Sequence, residues 1–238
     1  MPAANRPLQR FRVLDLVVAG LFLGSLLLFS SAAITVDGAL SEWLLSILHR
    51  PEAVNLAVNL ALSSCLFILA LIAAWPTLQR DSLLYRRRPL LAFGIVPLAL
   101  VAMLISTAVL VLAAGGPAGS VNQSGLESMM RVLPPAAVVP LLVVTGPFVE
   151  EFVFRHLLIG KLSRYLNVWI CAAISLFAFA LLHLAGKEAI TFPALAPYLG
   201  LGLVLVLVYV LCGRNLLLVY SLHLAKNLLA LLVFYSML

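Results

Sequence analysis

From Leu16 to Val36 the chain runs for 21 residues without a charge. That is the length needed to cross the hydrocarbon core of a bilayer as a helix, about 20 residues. Similar stretches recur to the C-terminus, and they fix the class of the molecule. Backbone inside lipid must satisfy its own hydrogen bonds, so a chain of such segments folds as helices. Composition agrees: 64% of the 238 residues are hydrophobic and only 10% are charged, against roughly 25% charged in a soluble domain. The sequence therefore predicts an all-α, polytopic transmembrane bundle. It forms a single membrane domain over residues 1–238, with N-terminal helices and loops at 1–131 and a core at 132–238.

Seven transmembrane helices are expected, at 14–36, 54–76, 90–114, 132–158, 168–185, 194–212 and 216–237. An eighth, or a re-entrant piece, would fit near Gly146-Pro147. The first run exceeds the apolar region of a cleaved signal, about 7–15 residues, and reads as a retained helix. The Gly- and Ser-rich stretch at 115–125 is the clearest break. One side of this arrangement collects Arg6, Arg10, Arg12, Arg80, Arg86, Arg87, Arg88, Arg155, Lys161, Arg164 and Arg214; the other collects Arg50, Arg131 and Lys187. This bias predicts a cytoplasmic N-terminus. It also accounts for the net charge of +6 without nucleic acid as a partner; the expected surroundings are the lipid bilayer. Cys65, Cys171 and Cys212 lie in apolar runs with no metal spacing and read as small buried hydrophobes.

Ionisable and strongly polar groups inside membranes are costly and usually face a bundle interior. Here they are Glu150, Glu151, His183, His223, Lys226 and Asn227. Glu151 and Arg155 are four apart and share a helix face, the spacing of an ion pair. Glu150 points elsewhere and has no partner at that spacing. Glu150 is 16 residues before Leu166 and His183 is 16 after Asn167, so an antiparallel hairpin puts both at one level. With Lys161 and Arg164 holding the hairpin end in water, Glu150 lies roughly 13 Å deep, and His223, eight residues after Asn215, roughly 12 Å. His156 then sits at headgroup level. Three helices thus deliver a carboxylate and two imidazoles to one depth.

A buried carboxylate suits a general base, an imidazole can hold water against it, and a second His with an amide can donate to an oxyanion. That is equipment for adding water to an amide bond. Glu150, His183 and His223 are also a catalytic zinc ligand set, although the HExxH signature is absent. The expectation is no cofactor, with zinc as the alternative.

Three motifs in order carry a family resemblance. "EEFVFR" at 150–155 resembles the EExxxR motif of the CPBP family of intramembrane proteases, which includes the CAAX prenyl endopeptidases and bacteriocin-processing relatives. "FALLH" at 179–183 is similar to its FxxxH motif, and "HLAKN" at 223–227 to its HxxxN motif. The resemblance spans about 132–237. It implies an intramembrane endopeptidase, with a membrane-associated protein or peptide as substrate. Glu150 and His183 would activate water, and His223 and Asn227 would stabilise the oxyanion. Glu151, Arg155 and Phe179 would support them. His156 departs from the family, which often has Gly there, and Lys226 belongs to no motif. A proton-coupled transporter and a non-catalytic adaptor or immunity protein are the competing classes. The compact chain suggests a bacterial inner membrane.

Overall fold

Each helix start needs acceptors for its first amides, and the sequence supplies several. Asp15 accepts from the Arg12 amide at 2.6 Å, the acidic half of a capping box. Thr191 Oγ1 accepts from Ala194 N at 3.4 Å, and Asn215 Oδ1 from Leu218 N at 2.8 Å. Pro89 bars its predecessor from helical geometry, and Arg88 accordingly breaks the chain at φ −141°.

The result is a computed structural model describing residues 10–30, 39–49, 51–116, 124, 127, 130–131, 135–184 and 189–237. Its helices are α1 (Val13–Ser30), α2 (Ala39–Leu48), α3 (Pro51–Arg87), α4 (Pro89–Ala113), α5 (135–161), α6 (Val168–Leu184), α7 (Phe192–Leu211) and α8 (Leu216–Ser236). The described residues form no strand. A helix occupies each of the seven expected segments, and α2 is an addition. Ala57–Arg87, Pro89–Ala113, Phe192–Leu211 and Leu216–Ser236 are long and apolar enough to cross a membrane; Val13–Ser25 and Val168–Leu184 are apolar but shorter. Residues 31–36 and 132–134, most of the 115–125 loop, residue 185, Arg6, Arg50 and Lys187 lie outside the described residues.

α3 runs eleven residues past its expected end at 76. Pro76 costs it one hydrogen bond without stopping it. At 1.5 Å per residue its 37 residues exceed the ~30 Å core of a bilayer. The surplus carries Thr77 and Asp81, both buried, and these turns pack instead of ending in a loop. Asp81 accepts from Leu216 N at 2.6 Å and its carbonyl accepts from Asn215 Nδ2 at 3.2 Å, fixing the start of α8 to α3.

Lys161 is not in water. It is buried and hydrogen-bonds to Asp15, tying the end of α5 to the start of α1. His156, expected among headgroups, is also buried. An ammonium that finds a buried carboxylate need not reach solvent. Among the cysteines Cys171 is buried, whereas Cys65 faces outward.

α4 buries only Ala92, Ala99 and Met103, and exposes Leu90, Phe93, Leu98 and Leu112. A helix apolar all round with so little of it covered belongs in lipid, and the protein is an integral membrane protein. α4 and α7 approach closely because Gly200 has no side chain. A Cβ there would lie 2.5 Å from Thr107 Cα, and Ser106 Oγ donates to the Gly200 carbonyl at 2.9 Å. Gly202, on the other side of α7, leaves room for Leu176 and Phe179 of α6.

Gly200→Val should therefore lower the thermal unfolding midpoint in detergent, since overpacking costs about 1–3 kcal/mol or more. Gly94→Ala, where a Cβ meets nothing within 4 Å, should leave it unchanged or raise it. Equal effects would refute the close α4–α7 approach.

Candidate active site

The site begins with two prolines. Pro140 and Pro147 lie within α5 and lack an amide hydrogen. The helix answers by widening, with π-helical pieces at Pro140–Thr145 and Phe152–Lys161 on either side of an α-helical Gly146–Glu151. Gly146 N reaches back five residues to Leu141 O. In that register Pro147 would serve Leu142 O and cannot. Asn227 of α8 does so instead, donating Nδ2 at 2.8 Å. Tyr220 Oη donates to Val144 O at 3.3 Å and Ser175 Oγ to Phe154 O at 2.7 Å. Irregular backbone at membrane depth persists where neighbours satisfy it and where it lines a cavity, and Leu141, Leu142, Gly146 and Pro147 all line one here.

The cavity holds about 310 Å³. Glu150, His183, His223, Lys226 and Asn227 face it from α5, α6 and α8, as the depth calculation requires. Phe179 and Tyr198 complete the polar end; Met130, Leu231 and Phe234 contribute apolar wall.

The two acids differ. Glu151 is fully buried: its Oε2 lies 3.2 Å from Arg155 Nε, and its Oε1 accepts from His223 Nδ1 at 2.8 Å. The pair with Arg155 was legible at the i, i+4 spacing; the bond to His223 was not. Glu150 is 22% exposed, with Oε2 3.9 Å from His223 Nε2. His223 thus stands between the acids. With Nδ1–H given to Glu151, its Nε2 faces Glu150. The Nδ1–H of His183 donates to Phe179 O at 2.8 Å, which leaves Nε2 as the acceptor. The His183 ring stacks on Tyr198 at 4.6 Å between centroids, tilted 26°. Tyr198 was missed, because a tyrosine in an apolar helix carries no spacing signal.

Arg155, also fully buried, packs its guanidinium over Phe179 at 4.4 Å. This aromatic contact accounts for the phenylalanine of the second motif. Among the described residues no three His, Cys, Asp or Glu side chains gather closely enough to hold a metal ion.

Residues 132–229, which carry all three motifs, match the family model of the type II CAAX prenyl endopeptidase Rce1-like proteins. Over this segment the chain is similar to the Rce1-like family. In general terms the match supports a protease, a hydrolase, of the CAAX intramembrane type. No curated protein and no solved structure matches it.

Glu151→Gln should strand the buried Arg155 and cost on the order of 3–5 kcal/mol, the usual penalty for breaking a buried pair. Glu150→Gln should leave the unfolding midpoint nearly unchanged. Equal drops in the two variants would reverse the assignment of the acids.

Proposed function

We propose that the protein is an intramembrane endopeptidase that hydrolyses a peptide bond of a membrane-associated protein or peptide, using water activated by Glu150. The observation that carries this reading is the shared cavity, in which an accessible carboxylate meets two imidazoles and an amide supplied by three helices. Glu150 takes a proton from water while Nε2 of His183 holds that water in place. The water oxygen attacks the scissile carbonyl carbon. The developing oxyanion accepts hydrogen bonds from Asn227, whose second Nδ2 hydrogen is not used by Leu142, and from a protonated His223 Nε2. Glu151 balances that imidazolium through Nδ1. The tetrahedral adduct collapses, Glu150 returns the proton to the leaving amine, and a carboxylic acid and an amine are released, the acid then giving its remaining proton to solvent.

The reaction is proposed to be metal-free: Glu150 as base, His183 on the water, and His223 with Asn227 on the oxyanion give each step a side chain. The family name specifies prenyl endopeptidase; for this chain the proposed substrate class is a membrane-associated protein or peptide in general. The proposed setting is a bacterial inner membrane with the N-terminus in the cytoplasm. Lys161, Arg80 and Arg12 are near enough to His156 for their charges to reach it, and the positive-inside rule assigns such a basic group to the cytoplasmic side.

Comparing membrane proteins and released peptides from wild-type and Glu150→Ala cells by mass spectrometry should reveal a terminus formed only by the wild type. In purified enzyme, His223→Ala should lower kcat about 100- to 1,000-fold with little change in KM, as for loss of an oxyanion donor. Chelators should leave cleavage intact, and elemental analysis should find no stoichiometric zinc. One zinc per chain, with activity lost on chelation and restored by zinc, would overturn the metal-free mechanism.

A further inference from the structure

α8 presents His223, Lys226, Asn227, Ala230, Leu231 and Phe234 to the cavity, one continuous helical face. Lys226 alone of these has no task so far. An ammonium at membrane depth is expensive and is normally matched by a partner. Among the described residues Lys226 forms no ion pair, although Glu150 is near enough for its charge to reach it. Glu150 stands against His223 instead, and Glu151 is held by Arg155 and His223. The chain thus keeps a cation in the cavity that neither acid contacts.

We propose that Lys226 determines specificity by binding a carboxylate of the substrate peptide close to the cut, either its chain-terminal carboxylate or the side chain of an acidic residue. The inference rests on the proteolytic reading above. Lys226 is three residues beyond His223, a rise of ~4.5 Å along α8. An extended peptide advances ~3.3–3.6 Å per residue, so with the reach of the lysine stem the carboxylate lies roughly one to three residues from the cleaved bond. The cavity volume of about 310 Å³ is at the small end for ligand pockets, roughly 300–1,000 Å³, and encloses only a short stretch of peptide. Charge also sets direction. Glu150 repels a carboxylate and Lys226 attracts one, so the anionic group settles at Lys226 while the scissile carbonyl faces Glu150. The remaining polar groups that line the cavity, Asn227 and Tyr198, are neutral donors that do not oppose an anion, and His183 and His223 bring no negative charge.

The test uses the purified full chain in liposomes and two matched pairs of mixed-sequence peptide libraries. The first pair differs only in a free or amidated C-terminus. The second is amidated throughout and differs by Glu or Gln at a fixed position. Products are read by mass spectrometry, and kcat and KM are measured on the best substrate of each pair. The wild type should favour the carboxylate member of one pair by roughly 10- to 100-fold, chiefly through KM, the range for a hydrogen bond to a charged group. The first pair reports a chain end and the second an acidic side chain. Lys226→Gln should bring the ratio close to one, and Lys226→Arg should keep most of it. Lys226→Met, which retains the stem, replaces the Gln variant if that fails to fold. A wild type that treats both pairs alike, or a preference that survives in Lys226→Gln, overturns the assignment while leaving the proteolytic reading standing. Cleavage of no library by the wild type, with Glu150→Gln equally silent, overturns both.

Discussion

A single carboxylate, that of Glu151, holds two otherwise unrelated parts of this bundle together. One oxygen lies against Arg155 on its own helix and the other accepts from His223 on α8. Neither contact would count for much in water, where exposed ion pairs contribute about 0–1 kcal/mol. Inside the bundle all three side chains are buried, and removing one strands the others in a medium that penalises unpaired charge. The geometry of the cavity and the helix packing thus draw on the same three groups. Adjacent glutamates in an apolar run make sense on this footing. The fully buried acid fixes the frame, and the partly exposed one, a step around the helix, faces the cavity.

The prolines of α5 work in the same way. Pro147 deprives the Leu142 carbonyl of its helical donor, and Asn227 supplies one from α8. The side chain assigned to the oxyanion is therefore also a backbone partner. Its amide is oriented by that bond and keeps one hydrogen for the cavity. A defect in one helix becomes a positioning device for a residue of another, without any loop entering the membrane. Tyr220 and Ser175 answer two further carbonyls of the widened segments, which holds α5 between α6 and α8 along much of its length.

The sequence was most legible where a single period governs it. The helix spacings brought Glu150, His183, His223 and Asn227 to a common cavity, and the i, i+4 rule paired Glu151 with Arg155. It was least legible where two distant segments met. Nothing local announces that Lys161 finds Asp15, that Asp81 caps α8, or that Tyr198 stacks on His183. Each of these is a pairwise event between helices far apart in the chain. Lys161 is the clear example: hydropathy places a lysine in water, and only the neighbouring helix reveals the carboxylate that lets it stay inside. The length of α3 was hidden for a related reason, since its polar last turns read as a loop until Asp81 is seen to be buried.

Phe179 packs against Arg155 and both imidazoles of the cavity. The guanidinium of Arg155 rests on its face at 4.4 Å, and its ring meets His183 at 4.6 Å, Phe154 at 5.5 Å and His223 at 6.1 Å. Within the described residues no nitrogen of that guanidinium has a hydrogen-bond acceptor in good geometry, and its contact with Glu151 is one of charge and distance. The quadrupole of an aromatic face attracts a cation by about 2 kcal/mol or more when both are desolvated. A leucine at this position would fill similar space and offer nothing to the charge. Gly202 bears on the same ring, because a Cβ there would come 2.9 Å from Leu176 Cδ1 and 3.2 Å from Phe179 Cδ1, so these side chains would have to give way. The room that Gly202 leaves between α6 and α7 is thus filled by a ring that lies beside Arg155 and the two imidazoles.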